Sequence, residues 1–150
     1  MLEQQIEKDL KTALLGGDAA RVSTLRMIKS SLLNVKVDQG KRDTGLPDDE
    51  VQALLAKEAK KRQESADLYL QAGDQARADQ ELAEKAIITA YLPQQLSEAE
   101  LQQVIDEMIA QTGASGPQAM GQVIGAVKAK VGATGDGALI AKLVKEKLSA

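Results

Sequence analysis

Tyr91-Leu92-Pro93-Gln94-Gln95-Leu96-Ser97-Glu98-Ala99-Glu100-Leu101 holds the end of one helix and the start of another. Pro93 disfavours helix in the residue before it, so a helix arriving from the N-terminal side should stop there. Four residues later, Ser97 and Glu100 have the spacing of a capping box, in which a Ser hydroxyl and a Glu carboxylate each satisfy an orphan backbone N–H. Leu96 and Leu101 stand where a hydrophobic staple forms. A new helical unit therefore begins here, and the chain divides into residues 1–93 and 94–150.

On either side of this boundary the apolar residues repeat at helical spacing. Leu2, Ile6, Leu10, Ala13 and Leu14 form a first stripe that Gly16-Gly17 ends, and Val22, Leu25, Ile28, Leu32 and Val35 form a second that stops near Gly40. Gly40-Lys41-Arg42-Asp43-Thr44-Gly45 reads as an exposed turn. Pro47 suits the first turn of a third helix, and Asp48, Asp49 and Glu50 put negative charge at the positive end of its dipole. That helix should run to about Ala72-Gly73. A fourth, from Gln75 to Leu92, carries Ala76, Ala83, Ile87 and Ala90 as its expected packing stripe.

Beyond the boundary three short helices are expected. Leu101, Val104, Ile105, Met108 and Ile109 define the first; Met120, Val123, Ile124 and Val127 the second; Leu139, Ile140, Leu143, Val144 and Leu148 the third, with Asp136 as its cap. The fold class is all-α: about four helices in an N-terminal domain, then a three-helix unit.

Composition supports helix and excludes much chemistry. The chain has 150 residues, no His, no Cys, no Phe and no Trp; 23 residues are Ala, and Tyr69 and Tyr91 are the aromatics. Without His or Cys there are no zinc fingers, no Ser-His-Asp or Cys-His nucleophile and no disulfide. No phosphate-cradling Gly-rich loop and no paired-carboxylate metal site stands out, so neither a cofactor nor a metal is expected. No run of about 18 apolar residues occurs and the N-terminus lacks a signal-peptide layout, which predicts a soluble cytoplasmic protein with no membrane partner.

Charge alone does not announce a nucleic-acid binder. Residues 1–92 hold 14 basic and 16 acidic side chains, residues 93–150 hold 5 and 6. Any RNA contact must come from a local cluster. In the C-terminal unit Lys128, Lys130, Lys142, Lys145 and Lys147 are candidates. Gly121 and Gly125, one turn apart, cost about 1 kcal/mol each relative to Ala, so an approaching backbone is expected beside them, either of a packed helix or of RNA.

In the third helix Arg62 falls within about 20° of the stripe of Val51, Leu55 and Tyr69. Either it forms a partly buried pair with Glu58 at i and i+4, or it is held to meet phosphate. With one carboxylate partner, loss of Glu58 would be costlier than loss of Arg62, because a buried charge would be left alone. Lys57 and Lys60 project away from this stripe with Lys61 on its flank, as a solvated face or an RNA-facing patch.

Lys57-Glu58-Ala59-Lys60-Lys61-Arg62-Gln63-Glu64-Ser65, then Tyr69, Ala72-Gly73 and the Tyr91 to Leu101 string, resemble the YqeY-like proteins, which share a tail domain with the GatB component of the tRNA-dependent amidotransferase. Met120-Gly121, Gly125, Lys128, Lys130 and Asp136-Gly137 are similar to that tail. The resemblance covers essentially the whole chain and implies an all-helical protein whose tail-like unit helps hold tRNA, with tRNA or an aminoacyl-tRNA-processing enzyme as partner and no DNA sequence specificity. The family often carries the label of a carbon-nitrogen ligase with glutamine as amido donor, but nothing here resembles the ATP-using catalytic domain. A noncatalytic tRNA-interacting module, a helical protein-interaction module and, third, such a ligase are the readings. One departure stands out: Thr134 occupies a turn where relatives commonly place Arg.

Overall fold

The computed structural model describes residues 1–149 and is helical throughout, with seven α-helices and no strand among the described residues. The chain forms two compact units, Met1–Leu92 and Pro93–Ala150. Among the described residues no helix is long and apolar enough to cross a membrane.

The first unit contains α1 (Leu2–Gly16), α2 (Ala19–Asp38), α3 (Asp48–Gln71) and α4 (Gln75–Thr89). Contacts between side chains give the directions. Glu7 meets Lys29 and Glu3 meets Lys36, so α1 and α2 are antiparallel; Glu50 meets Lys41 and Arg62 meets Met27, so α2 and α3 are too. Gln63 meets Lys85 across a tight turn at Gly73, which completes an up-down-up-down bundle. Its core is aliphatic: Ile6, Leu10, Leu25, Ile28, Leu32, Val51, Leu55 and Ile88 are buried together.

Local chemistry explains the helix ends. α1 closes at Gly17, whose φ of 70° is left-handed and costs glycine little. Asp18 then caps α2 by accepting from the Arg21 N–H, and Asp74 caps α4 in the same way through Arg77. Pro47 is the N-cap residue of α3, one place before the first turn where the sequence put it, and the three acidic residues follow as expected.

Two stripes differ from expectation. Leu14 is 48% exposed, so α1 buries only the narrower set Ile6, Leu10 and Ala13. On α4 the sequence selected the wrong face: Ala76, Ala83 and Ala90 are not buried and Ile87 is half-buried, while Ala78 and Ile88 are enclosed. Alanine is small enough to lie on either face, and α3 offers α4 the polar partners Arg62 and Gln63, so Glu84 and Lys85 turn inward. Helix α4 also ends at Thr89, ahead of Pro93.

The second unit packs α5 (Glu98–Thr112), α6 (Met120–Val131) and α7 (Gly137–Ser149) around Leu101, Ile105, Val123, Val127, Ile140 and Val144. The capping box is complete: the Glu100 N–H donates to Ser97 Oγ at 3.2 Å, and the Ser97 N–H donates to Glu100 Oε2 at 2.8 Å. Leu96 packs on the core that encloses Leu101. Ser97→Ala should lower the stability of this unit by about 1 kcal/mol in urea unfolding, the usual worth of an N-cap oxygen; a loss of only a few tenths would place the start of α5 elsewhere.

Thr134 closes a structural turn. Its carbonyl accepts from the Leu96 N–H at 2.7 Å and its hydroxyl donates to the Val131 carbonyl. Asp136 caps α7 by accepting from the Ala138 and Leu139 N–H groups at 2.9 and 3.3 Å.

Candidate nucleic-acid interface

Helix α6 opposes two faces. Val123 and Val127 are buried, whereas Gly121, Gly125 and Ala129 are not. A Cβ built on Gly121 or Gly125 meets no atom within 4 Å. Close helix-to-helix approach, the packing explanation for this glycine pair, is therefore overturned. The glycines leave a side-chain-poor strip open to solvent. Since no neighbour needs the space, Gly125→Ala should raise stability by up to about 1 kcal/mol through helix propensity alone, measurable as a higher midpoint of thermal unfolding; a destabilisation would restore a packing role.

The lysines divide into committed and free. Lys130 is about 180° from Gly121 around α6 and pairs with Glu107 of α5 at 2.7 Å. Lys147 pairs with Asp106 at 2.8 Å. Lys128, Lys142 and Lys145 form no ion pair among the described residues. Lys128 is within about 60° of both glycines around the helix. Its Nζ lies 3.5 Å from where a Cβ on Gly137 would stand, at the first residue of α7. A cation at the positive end of a helix dipole is unfavourable unless negative charge lies beside it. Asp136 supplies one such charge, and a phosphate in the same place would supply more.

In the first unit Lys57 and Lys60 lie on α3 without ion pairs among the described residues, and Lys61, which is exposed, reaches Glu58 at 3.4 Å. Arg62 is elsewhere. It is 5% exposed, and its Nη1 donates to Glu58 Oε2 at 2.6 Å. The buried-pair account of this residue holds. The fold adds two partners that the sequence did not indicate: Glu84 of α4, 3.4 Å from Nε, and Met27 Sδ of α2, which accepts from Nη2 at 2.9 Å. A guanidinium enclosed by these groups does not face solvent, so Arg62 drops out of the phosphate-contacting set. No local signal could have found Glu84, which lies 22 positions away on a helix whose alanines do not mark its inward face.

Tyr91 is another residue whose role the sequence did not reveal. Its hydroxyl donates to Asp9 Oδ2 at 2.5 Å, tying the end of α4 to α1. Burial, helped by the hydrogen bond to Asp9 and opposed by Arg21, pushes the phenol up to about 12. The tie is thus intact below pH 10 and is lost as pH rises through 12. Among the described residues no group of three or more carboxylates is placed to hold a metal ion.

These features define a class: a two-unit, all-helical protein whose uncommitted cations lie on open helix faces. The chain belongs to the YqeY-like protein family, whose model matches residues 3–148. No curated protein matches it at a significant level.

Proposed function

We propose that this YqeY-like protein is a noncatalytic, cytoplasmic, tRNA-interacting accessory module, with its C-terminal unit acting as the GatB-like tail it resembles. The observation that carries the reading is the open glycine strip of α6 with Lys128 beside it, which has no ion pair among the described residues and whose Nζ reaches the start of α7. A phosphate backbone running along Gly121 and Gly125 would meet Lys128, and Lys142 and Lys145 would extend the positive surface along α7. Lys130 contributes less because Glu107 already neutralises it. Lys57, Lys60 and Lys61 are a secondary contact on the N-terminal unit.

The test is binding of bulk tRNA followed by anisotropy across a salt series. Affinity should fall linearly on a log-log plot. Replacing Lys128, Lys142 and Lys145 with Gln should make that slope shallower by roughly one unit per lost phosphate contact. Lys130→Gln should change it less, and Gly125→Leu should block binding while leaving the fold intact. Absence of salt-dependent binding by the unaltered protein would defeat the reading. A helical protein-interaction module would then be favoured, because Leu15 is 91% exposed on α1 and Leu68 65% exposed on α3.

A further inference from the structure

The buried guanidinium of Arg62 has donors that are unequally served. Nη1 donates to both the carboxylate and the backbone carbonyl of Glu58, and Nε faces Glu84 at 3.4 Å without the geometry of a hydrogen bond. Nη2 donates to Met27 Sδ and to no other group among the described residues. A thioether is a weak acceptor. Poorly matched buried donors cost stability, so this charged group would gain from an oxygen where it now meets sulfur.

The four methionines differ in what oxidation would do to them. Met108 is 8% exposed and Met120 is half-buried, both against the core of the second unit. Met1 and Met27 are open to solvent, Met27 being 43% exposed, and of these two only the Met27 sulfur has a hydrogen-bond partner among the described residues. Exposure admits a peroxide to the thioether. The sulfur gives an electron pair to one peroxide oxygen, the O–O bond breaks, and the departing hydroxide takes the proton from the transferred oxygen and leaves as water. Sulfur is oxidised by two electrons and the peroxide is reduced by two.

A sulfoxide inside a core disturbs packing, because it is polar where the thioether was apolar. Beside Arg62 it supplies the acceptor that Nη2 lacks, and the three rotatable bonds of methionine let the oxygen swing to that donor. A hydrogen bond from a guanidinium to oxygen is charge-assisted and roughly twice as strong as a neutral one. We propose that Met27 is a peroxide-reactive modification site whose sulfoxide is received by Arg62 Nη2, so that oxidation tightens the hold of α2 on the Arg62 cluster of α3 and α4. Reduction of the sulfoxide restores the weaker contact. This assignment is independent of tRNA binding.

Hydrogen peroxide applied to the full chain tests it. Peptide mass spectrometry should show Met27 oxidising at least tenfold faster than Met108. Tyr69 and Tyr91 both belong to the first unit, so tyrosine fluorescence in urea reads that unit alone. Its unfolding midpoint should rise on oxidation, whereas the midpoint of Met27→Leu should not move under the same treatment. Met27→Gln, which places an amide oxygen near the same donor, should have a higher midpoint than Met27→Leu. In NMR spectra the Arg62 side-chain N–H signals should shift on oxidation while those of Arg77 stay in place. Oxidation of Met27 no faster than that of Met108, a midpoint that falls or does not change, equal midpoints for the Gln and Leu variants, or unmoved Arg62 signals would each overturn the assignment.

Discussion

Leu101→Ala should cost the C-terminal unit about 3 kcal/mol, within the usual range for truncating a fully buried Leu. Leu101 has no exposed surface and packs with Ile105, Val127 and Ile140. It is also the residue that the capping box and Leu96 fix at the start of α5. The site has little room to relax. A Cβ on Gly135 would come within 2.9 Å of Ile140 and 3.5 Å of Leu101, so the neighbouring turn is already against the core. A unit of this length has a total stability of roughly 3 to 9 kcal/mol. The substitution should therefore remove between about a third and all of that stability. Urea unfolding followed by helical circular dichroism measures the loss; a change below about 1 kcal/mol would mean that α5 does not anchor this core.

Arg62→Met should destabilise the N-terminal unit by about 3 kcal/mol, the scale of removing one member of a buried ion cluster. The substitution strands two carboxylates. The Glu58 side chain is 10% exposed and would keep only Lys61, and Glu84, 20% exposed, would lose its ion pair. Glu58→Gln should cost less, because Glu84 still neutralises Arg62. This order reverses the one implied by a simple pair, and chemical denaturation of both variants at neutral pH decides it. A pH series adds a second check. Burial raises the affinity of Glu58 for a proton, but the hydrogen bonds and charges of Arg62 and Lys61 outweigh it and hold the carboxyl below its ordinary 4.5. A depressed carboxylate stabilises above its ordinary value and loses that contribution as pH falls below it. The unaltered protein should therefore lose stability more steeply below pH 4.5 than Glu58→Gln does, and parallel curves would remove Glu58 from the cluster.

Helix positions were legible because they depend on neighbours in sequence. The period of Leu25, Ile28 and Leu32, the stop at Gly17 and the box from Ser97 to Glu100 each involve residues within a turn or two of one another, where propensity, capping and burial agree. The i to i+4 relation of Glu58 and Arg62 was readable for the same reason. Helix α4 was not, because its inward face is set by what α3 presents. Ala76, Ala83 and Ala90 lack the side-chain volume to identify a buried side, whereas Arg62 and Gln63 draw Glu84 and Lys85 inward.

The interface candidates show the same division. Sequence alone established an all-helical chain with cations in the C-terminal unit and a glycine pair on α6, since these follow from residue identity and spacing. Tertiary structure decided which cations are free among the described residues: Lys130 and Lys147 meet carboxylates on α5, while Lys128 does not. It decided that Gly121 and Gly125 face open space, and that Arg62 is enclosed by three helices. Spacing along a chain fixes what shares a helix face, but only packing fixes what opposes that face, and ion pairing and burial are both properties of the opposing surface.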